Sequence, residues 1–172
     1  PHLHLSIQHG DNLILKRMKR RHLYRDVINF VKEAKRRRSD VVFGGDFISG
    51  FPTETEEAHK NSIKLIKEAE INFAHVFPYS PRNGTPAAMM RGLSKKIINQ
   101  RSHELRELSQ KNTSKFLNSL LGTKQKVLLE KNNTGYTPQF AKVKFVGNLN
   151  AGKIIDATII GMENSYLIGN IK

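Results

Sequence analysis

Cysteine is absent from this 172-residue sequence, which excludes disulfides, cysteine-ligated zinc and cysteine nucleophiles. Long apolar runs are absent too: none approaches the roughly 20 residues that a bilayer-spanning helix needs. No signal-peptide pattern opens the chain, which starts at Pro1 without an initiator methionine, so the natural N-terminus is expected to lie upstream. Acidic residues are scarce: 15 Asp and Glu face 29 Lys and Arg, for a formal charge of +14. The excess is uneven. Residues 1–38 hold eleven basic against three acidic side chains, 39–92 five against seven, 93–121 six against two, and 122–172 seven against three. Two basic regions around a mildly acidic middle fit either a solvated cationic surface or a polyanion partner, of which nucleic acid is the foremost case. The length suits one ordinary domain, or a small domain beside part of a larger one.

What the sequence does have is a strand, turn and helix block at residues 40–57, DVVFGGDFISGFPTETEE. Val41, Val42, Phe43, Phe47 and Ile48 are apolar enough for a strand covered on both faces. Asp46 interrupts them, either as hydrogen-bonded structural polarity or as part of a site at the mouth of a sheet. Gly50-Phe51-Pro52 turns the chain, and the spacing of Thr53 and Glu56 predicts a capping box. Backbone N–H donors at the C-terminal edge of a sheet are where α/β proteins bind anionic or polar ligands.

Upstream, residues 3–8 alternate, with Leu3, Leu5 and Ile7 on one side of a strand and His2, His4, Ser6 and Gln8 on the other. His2 and His4 have no third metal ligand nearby in sequence, so hydrogen-bonded histidines are the expected reading. Asp11 can cap a short helix. Leu23, Val27, Phe30, Val31 and Ala34 mark the buried stripe of a second helix, ending near Arg36-Arg37-Arg38. A helix over 54–70 should bury Ala58, Ile63, Ile66 and Ala69, and a strand should follow at 71–78. This alternation is the grammar of a parallel sheet with right-handed crossovers. A turn-rich loop from Tyr79 to Pro86 carries Arg82, and a long helix follows over about 94–121, with Gly122 placed to end it.

Beyond Gly122 the runs at 127–129, 140–146, 154–160 and 166–168 are short and separated by turns at 132–135, 147–148, 150–152 and 163–164. They predict a small antiparallel all-β barrel. Ala141, Val143 and Phe145 should face its core. Phe140, Lys142 and Lys144 should face out, either for stacking on bases and pairing with phosphates or simply as a Lys-bearing face that discourages edge pairing.

Four segments carry a resemblance: His2-Leu3-His4-Leu5-Ser6-Ile7-Gln8-His9-Gly10, Leu15-Lys16-Arg17-Met18-Lys19-Arg20-Arg21-His22, residues 45–55 (GDFISGFPTET), and residues 77–88 (FPYSPRNGTPAA). In this order, and followed by a TRAM-like β module, they resemble the methylthiotransferases of the radical S-adenosylmethionine superfamily. Thr53-Glu54-Thr55 after Gly-Phe-Pro is closest to the branch acting on threonylcarbamoyladenosine at position 37 of tRNA. His9 departs from the pattern, which more often has Ser before the Gly.

The resemblance implies an α/β fold: part of a radical SAM TIM-like barrel of parallel βα units over 1–113, about half of it, then a TRAM barrel over 114–172. It implies a cytoplasmic parent enzyme that adds a methylthio group to C2 of N6-threonylcarbamoyladenosine, using S-adenosylmethionine and two iron–sulfur clusters. None of those clusters can be ligated by this chain. No catalytic residue is expected here, and the chain alone is expected to be inactive. Ser6, Gln8, Arg20, Asp46, Ser49, Gly50 and Tyr79 would line the cofactor or substrate mouth, with Arg20 and Arg82 the cations for a carboxylate or phosphate. Phe140, Lys142, Lys144, Arg36, Arg37 and Arg38 would meet RNA. The partners implied are the tRNA anticodon arm and the missing N-terminal half of the enzyme, without a membrane. Alternatives are a catalytically inert tRNA-binding fragment, or a parent from the isopentenyladenosine or ribosomal-protein aspartate branches. An unrelated nucleotide-binding α/β protein is disfavoured because the glycines at 44–50 do not form G-x-G-x-x-G.

Overall fold

The computed structural model describes residues 1–147 and 149–171. Two compact units emerge: Leu3–Asn112 forms one, and the residues from Thr113 onward, with Pro1–His2, form the other. No helix among the described residues is long and apolar enough to cross a membrane.

The first unit runs β1 (His2–Gln8), α1 (Asn12–Arg17), α2 (Tyr24–Arg37), β2 (Val42–Ser49), α3 (Glu56–Glu68), β3 (Phe73–Pro78), a 3-10 turn (Pro86–Met89) and the start of α4 (Lys95–Ser119). Its sheet has the order β1-β2-β3, and β2 and β3 are parallel, paired from Gly44 with Phe73 to Ser49 with Pro78. The period-two alternation of strands separates two faces. Ile7, Phe43, Phe47, Ala74 and Val76 share a buried core with Val27 and Val31 of α2, Leu65 and Ile66 of α3, and Leu105 of α4.

Local chemistry sets the element ends. Asp11 caps α1 by accepting from the amides of Leu13 and Ile14 at 2.9 and 3.1 Å. The expected capping box at Thr53 and Glu56 is not formed. Thr53 sits before the helix at φ +67, Thr55 caps α3 by accepting from the Ala58 amide at 3.1 Å, and Glu54 turns inward. The stripe of α2 is also narrower than expected: Val27, Ile28 and Val31 are buried, whereas Leu23 and Phe30 are about half exposed. Helical period identifies a face, but burial depends on which neighbours reach it, and Phe30 lines a shallow groove beside Leu5 and Ser6.

The second unit holds the end of α4, then β4 (Lys124–Glu130), β5 (Thr134–Tyr136), β6 (Lys142–Phe145), β7 (Ile154–Glu163) and β8 (Tyr166–Asn170). These close into a barrel ordered β4-β5-β6-β8-β7. The expectation of a purely antiparallel module is corrected, because β8 lies between β6 and β7 and pairs with β6 in parallel. Thr134 and Gly135, expected in a turn at 132–135, instead open β5; three residues including a glycine are too short to display an alternation. Ala141, Val143 and Phe145 are buried in the barrel core with Val127, Leu129, Ile159 and Leu167, as the alternation requires. α4 ends at Ser119, short of the expected stop, and Gly122, at φ +77, turns the chain three residues later with its amide donating to the Ile159 carbonyl at 2.8 Å. Of the expected turn at Gly147-Asn148, Asn148 lies outside the described residues.

Candidate functional site

The first unit presents a cavity of about 700 Å³ beside the C-terminal ends of its strands. Gln8 of β1, Asp46 and Ile48 of β2, and Tyr79 just after β3 line it, together with Arg17, Lys19, Arg20 and Arg82. Gln8, Arg20, Asp46 and Tyr79 are therefore brought together. Ser6 contributes indirectly: its Oγ accepts a hydrogen bond from Nε2 of Gln8 at 2.8 Å. Ser49 and Gly50 do not line the cavity. Ser49 is buried, and its carbonyl accepts from the Tyr79 amide at 2.8 Å. Gly50 has φ +76, and a Cβ there would lie 2.7 Å from Cγ1 of Ile98, so the turn needs glycine for both conformation and space.

Two features mark the cavity wall. Gln8 holds φ +69, an uncommon conformation for a side-chain-bearing residue that persists only where its surroundings fix it. Tyr79 packs edge-on against Phe51 with ring centroids 5.3 Å apart, and its buried hydroxyl has no hydrogen-bond partner among the described residues. A buried hydroxyl left unsatisfied costs about 1–3 kcal/mol, which a polar ligand would relieve.

A buried ionic cluster fixes the loops behind this wall. Glu54, fully buried, accepts from Nε2 of His9 at 3.1 Å, from the Gly50 amide at 2.8 Å and from Nη1 of Arg101 at 2.9 Å. The Asp11 amide donates to Nδ1 of His9 at 2.9 Å, so His9 carries its proton on Nε2. The end of β1, the turn after β2 and helix α4 thus meet on one carboxylate. Burial alone would raise the Glu54 pKa, but the His9 hydrogen bond, the Gly50 amide and the Arg101 charge outweigh it and hold it low. Glu104 is also held low, chiefly by the hydrogen bond with His59 at 2.7 Å. Both groups have lowered folded-state values, so their stabilisation is present above the ordinary carboxylate value of 4.5 and lost as pH falls through the lowered values. The melting temperature should fall as the solution is acidified below about pH 4.5, and Glu104→Gln should make that acid loss shallower; an unchanged acid limb would remove Glu104 from the linkage.

The second unit carries a separate feature. Tyr136 and Phe140 stack with centroids 4.8 Å apart and planes 21° apart. Nζ of Lys142 lies 5.9 Å from the Tyr136 ring centroid and 4.9 Å from that of Tyr166. Lys142 and Lys144 line a shallow depression of about 300 Å³ with Thr134, Asn164 and Tyr166. Phe140 is exposed, but it precedes β6 at φ +67 rather than standing in the strand. Sequence reasoning missed Tyr136 and Tyr166. Both follow turn residues in very short strands, and an aromatic just past a turn was the available signal. Arg36 and Arg37 are paired with Glu33 at 2.8 and 2.7 Å, and Arg38 with Asp40 at 2.8 Å, all on the surface of the first unit.

A family model described as the radical SAM superfamily matches residues 1–66. The threonylcarbamoyladenosine tRNA methylthiotransferase MtaB of Rickettsia prowazekii is 44% identical over 167 residues, covering 97% of this chain and 40% of that protein. The probable threonylcarbamoyladenosine tRNA methylthiotransferase of Methanocaldococcus jannaschii is 38% identical, covering 96% of this chain and 40% of its own length. A tRNA-2-methylthio-N(6)-dimethylallyladenosine synthase of Ehrlichia ruminantium is 40% identical over 132 residues, covering 76% and 30%. The chain belongs to the radical SAM methylthiotransferase family. It spans about 40% of the length of the first two of these methylthiotransferase relatives. The family uses S-adenosylmethionine and iron–sulfur clusters, and this chain, having no cysteine, offers no thiolate to such a cluster.

Proposed function

We propose that this chain supplies a cofactor-facing wall and an RNA-gripping module to an enzyme that adds a methylthio group to C2 of N6-threonylcarbamoyladenosine at position 37 of tRNA. The observation that carries the RNA part is the barrel face on which Lys142 lies between the rings of Tyr136 and Tyr166, beside exposed Phe140 and Lys144. Aromatic faces stack on unpaired bases of any identity, and lysines track the phosphates between them. Arg36, Arg37 and Arg38 of the first unit are read as separate phosphate contacts, because their exposed ion pairs are weak and exchange readily for phosphate. The anticodon arm, an exposed stem and loop, is the substrate region that such a surface fits.

The sheet of the first unit is read as part of a parallel βα barrel, whose sites form at the C-terminal ends of strands. The cavity suits S-adenosylmethionine in size and in donor set: apolar Ile48 and Phe51, the Tyr79 hydroxyl, the Gln8 amide, and arginines for a carboxylate. When bound at a cluster, that cofactor supplies an organic radical. Gln8, Asp46 and Tyr79 would orient its polar groups, and Arg20 and Arg82 would pair with a carboxylate of cofactor or substrate. The threonylcarbamoyl branch is favoured over the dimethylallyl branch because, among relatives that match nearly the whole chain, its members are 44% and 38% identical and dimethylallyladenosine synthases 32% and 33%.

A second reading, an RNA-binding module without catalysis, is favoured for the chain by itself by the absence of cysteine. Binding of an anticodon stem-loop, measured against salt, tests the RNA part. Each phosphate contact contributes about 0.7–0.9 to the slope of log affinity against log salt. Lys142→Ala with Lys144→Ala should reduce the slope by about 1.5 and weaken binding roughly tenfold or more, with unchanged circular dichroism. Unchanged affinity and slope would reject the barrel face as the RNA surface.

A further inference from the structure

On the open face of the three-stranded sheet, His4 of β1, Asp46 of β2 and His75 of β3 stand side by side. Asp46 and His75 are direct partners in the parallel register, so their side chains leave the sheet at the same level. Nε2 of His4 lies 2.9 Å from Oδ1 of Asp46, and Nδ1 of His75 lies 3.6 Å from the same oxygen. The three ligand atoms all fall within 4.8 Å of one another, and the two imidazole centroids are 4.9 Å apart.

We infer that His4, Asp46 and His75 form a binding site for one divalent transition-metal cation, with zinc the natural probe. Metal–nitrogen and metal–oxygen distances near 2.0–2.2 Å put neighbouring ligand atoms of a tetrahedral site roughly 3.3–3.5 Å apart, and the separations of 2.9 and 3.6 Å straddle that value. The His75 to Asp46 distance is too long for a hydrogen bond, so a proton held between them does not account for the convergence. Two imidazoles and one carboxylate are the donor set of open zinc and iron sites. Three adjacent strands supply one ligand each, so the spacing is set by the sheet and little ordering is needed on binding. Three protein ligands leave a coordination position for water or for a group in the cavity that Asp46 also lines. His2 is not needed: the third ligand that its pairing with His4 lacked in the sequence comes from strands 42 and 71 residues away.

The site is tested by titrating the chelator-stripped 172-residue chain with zinc and, for its visible spectrum, with cobalt. One equivalent of zinc should bind. Asp46→Asn and His75→Ala should each weaken it tenfold or more while circular dichroism stays unchanged, and cobalt should give the intense bands of a low-coordinate site that both substitutions abolish. His103→Ala, which removes an exposed histidine paired only with Glu107 among the described contacts, should leave stoichiometry at one. His75 is largely exposed, so its removal does not endanger the fold. Sub-stoichiometric binding by the parent chain, or binding that survives in Asp46→Asn and His75→Ala, would overturn the assignment. Neither readout depends on RNA binding or on cluster chemistry, so the result is separate from the proposed function.

Discussion

Replacing Arg101 with leucine is expected to destabilise the Leu3–Asn112 unit by about 3–5 kcal/mol, the range found when one partner of a buried pair is removed. Arg101 is 7% exposed and Glu54 is 3% exposed, and besides the 2.9 Å ion pair Arg101 donates to the Glu54 carbonyl at 3.0 Å. Without the guanidinium, Glu54 keeps hydrogen bonds from His9 and from the Gly50 and Phe51 amides but loses the one arginine among its described partners. The carboxylate must then take up a proton or draw water into the interior, and both cost stability. Urea unfolding followed by far-ultraviolet circular dichroism measures the loss. Glu54→Leu should cost somewhat less, because Arg101 keeps the Glu56 carboxylate at 3.4 Å and the carbonyl of residue 54, and the double substitution should recover more than half of the Arg101→Leu loss. A loss below about 1 kcal/mol for Arg101→Leu would mean that the pair is effectively solvated.

The second large effect is expected at Gly10. A Cβ there would meet the carbonyl oxygen of Asn61 and stand 2.5 Å from Cα of Ser62, so the loop between β1 and α1 runs directly against the backbone of α3. The Gly10 amide donates to Oγ of Ser62 at 3.0 Å and holds this approach closed. No rotamer change relieves a clash with backbone. Gly10→Ala should therefore cost about 3 kcal/mol, at the upper end for overpacking, with a clearly lowered melting temperature. Ser62→Ala, which removes only the hydrogen bond, should cost about 1 kcal/mol. Comparable losses for the two variants would contradict the steric account.

Much of this architecture was legible because it is written in short-range patterns. The buried run at 41–48, the Asp11 cap and the inward set Ala141, Val143 and Phe145 follow from period, capping chemistry and alternation. The misreadings arose where a local pattern met a distant neighbour. Thr53 and Thr55 both offer a capping hydroxyl, and the choice was made by the positive φ of Thr53 and by the inward turn of Glu54 towards Arg101, 47 residues away. The stripe of α2 named Leu23 and Phe30 correctly as one face, but no element among the described residues covers that end of it. In the cavity, Gln8, Asp46 and Tyr79 were accessible from strand-end geometry, whereas the burial of Ser49 depends on which way the last residue of β2 points. His75 drew no attention in the sequence because its relation to Asp46 exists only in the register of a parallel pair.

The insertion of β8 between β6 and β7 bears on how the chain is made. Until Tyr166–Asn170 arrives, β6 and β7 each lack a partner along one edge, and unpaired edges invite association with other chains. The first unit needs nothing from this segment for its sheet, so it can order while the ribosome is still adding residues 113–165. The barrel cannot. Its closure waits for Tyr166–Asn170, which makes the nascent barrel the stage of synthesis most exposed to misassembly.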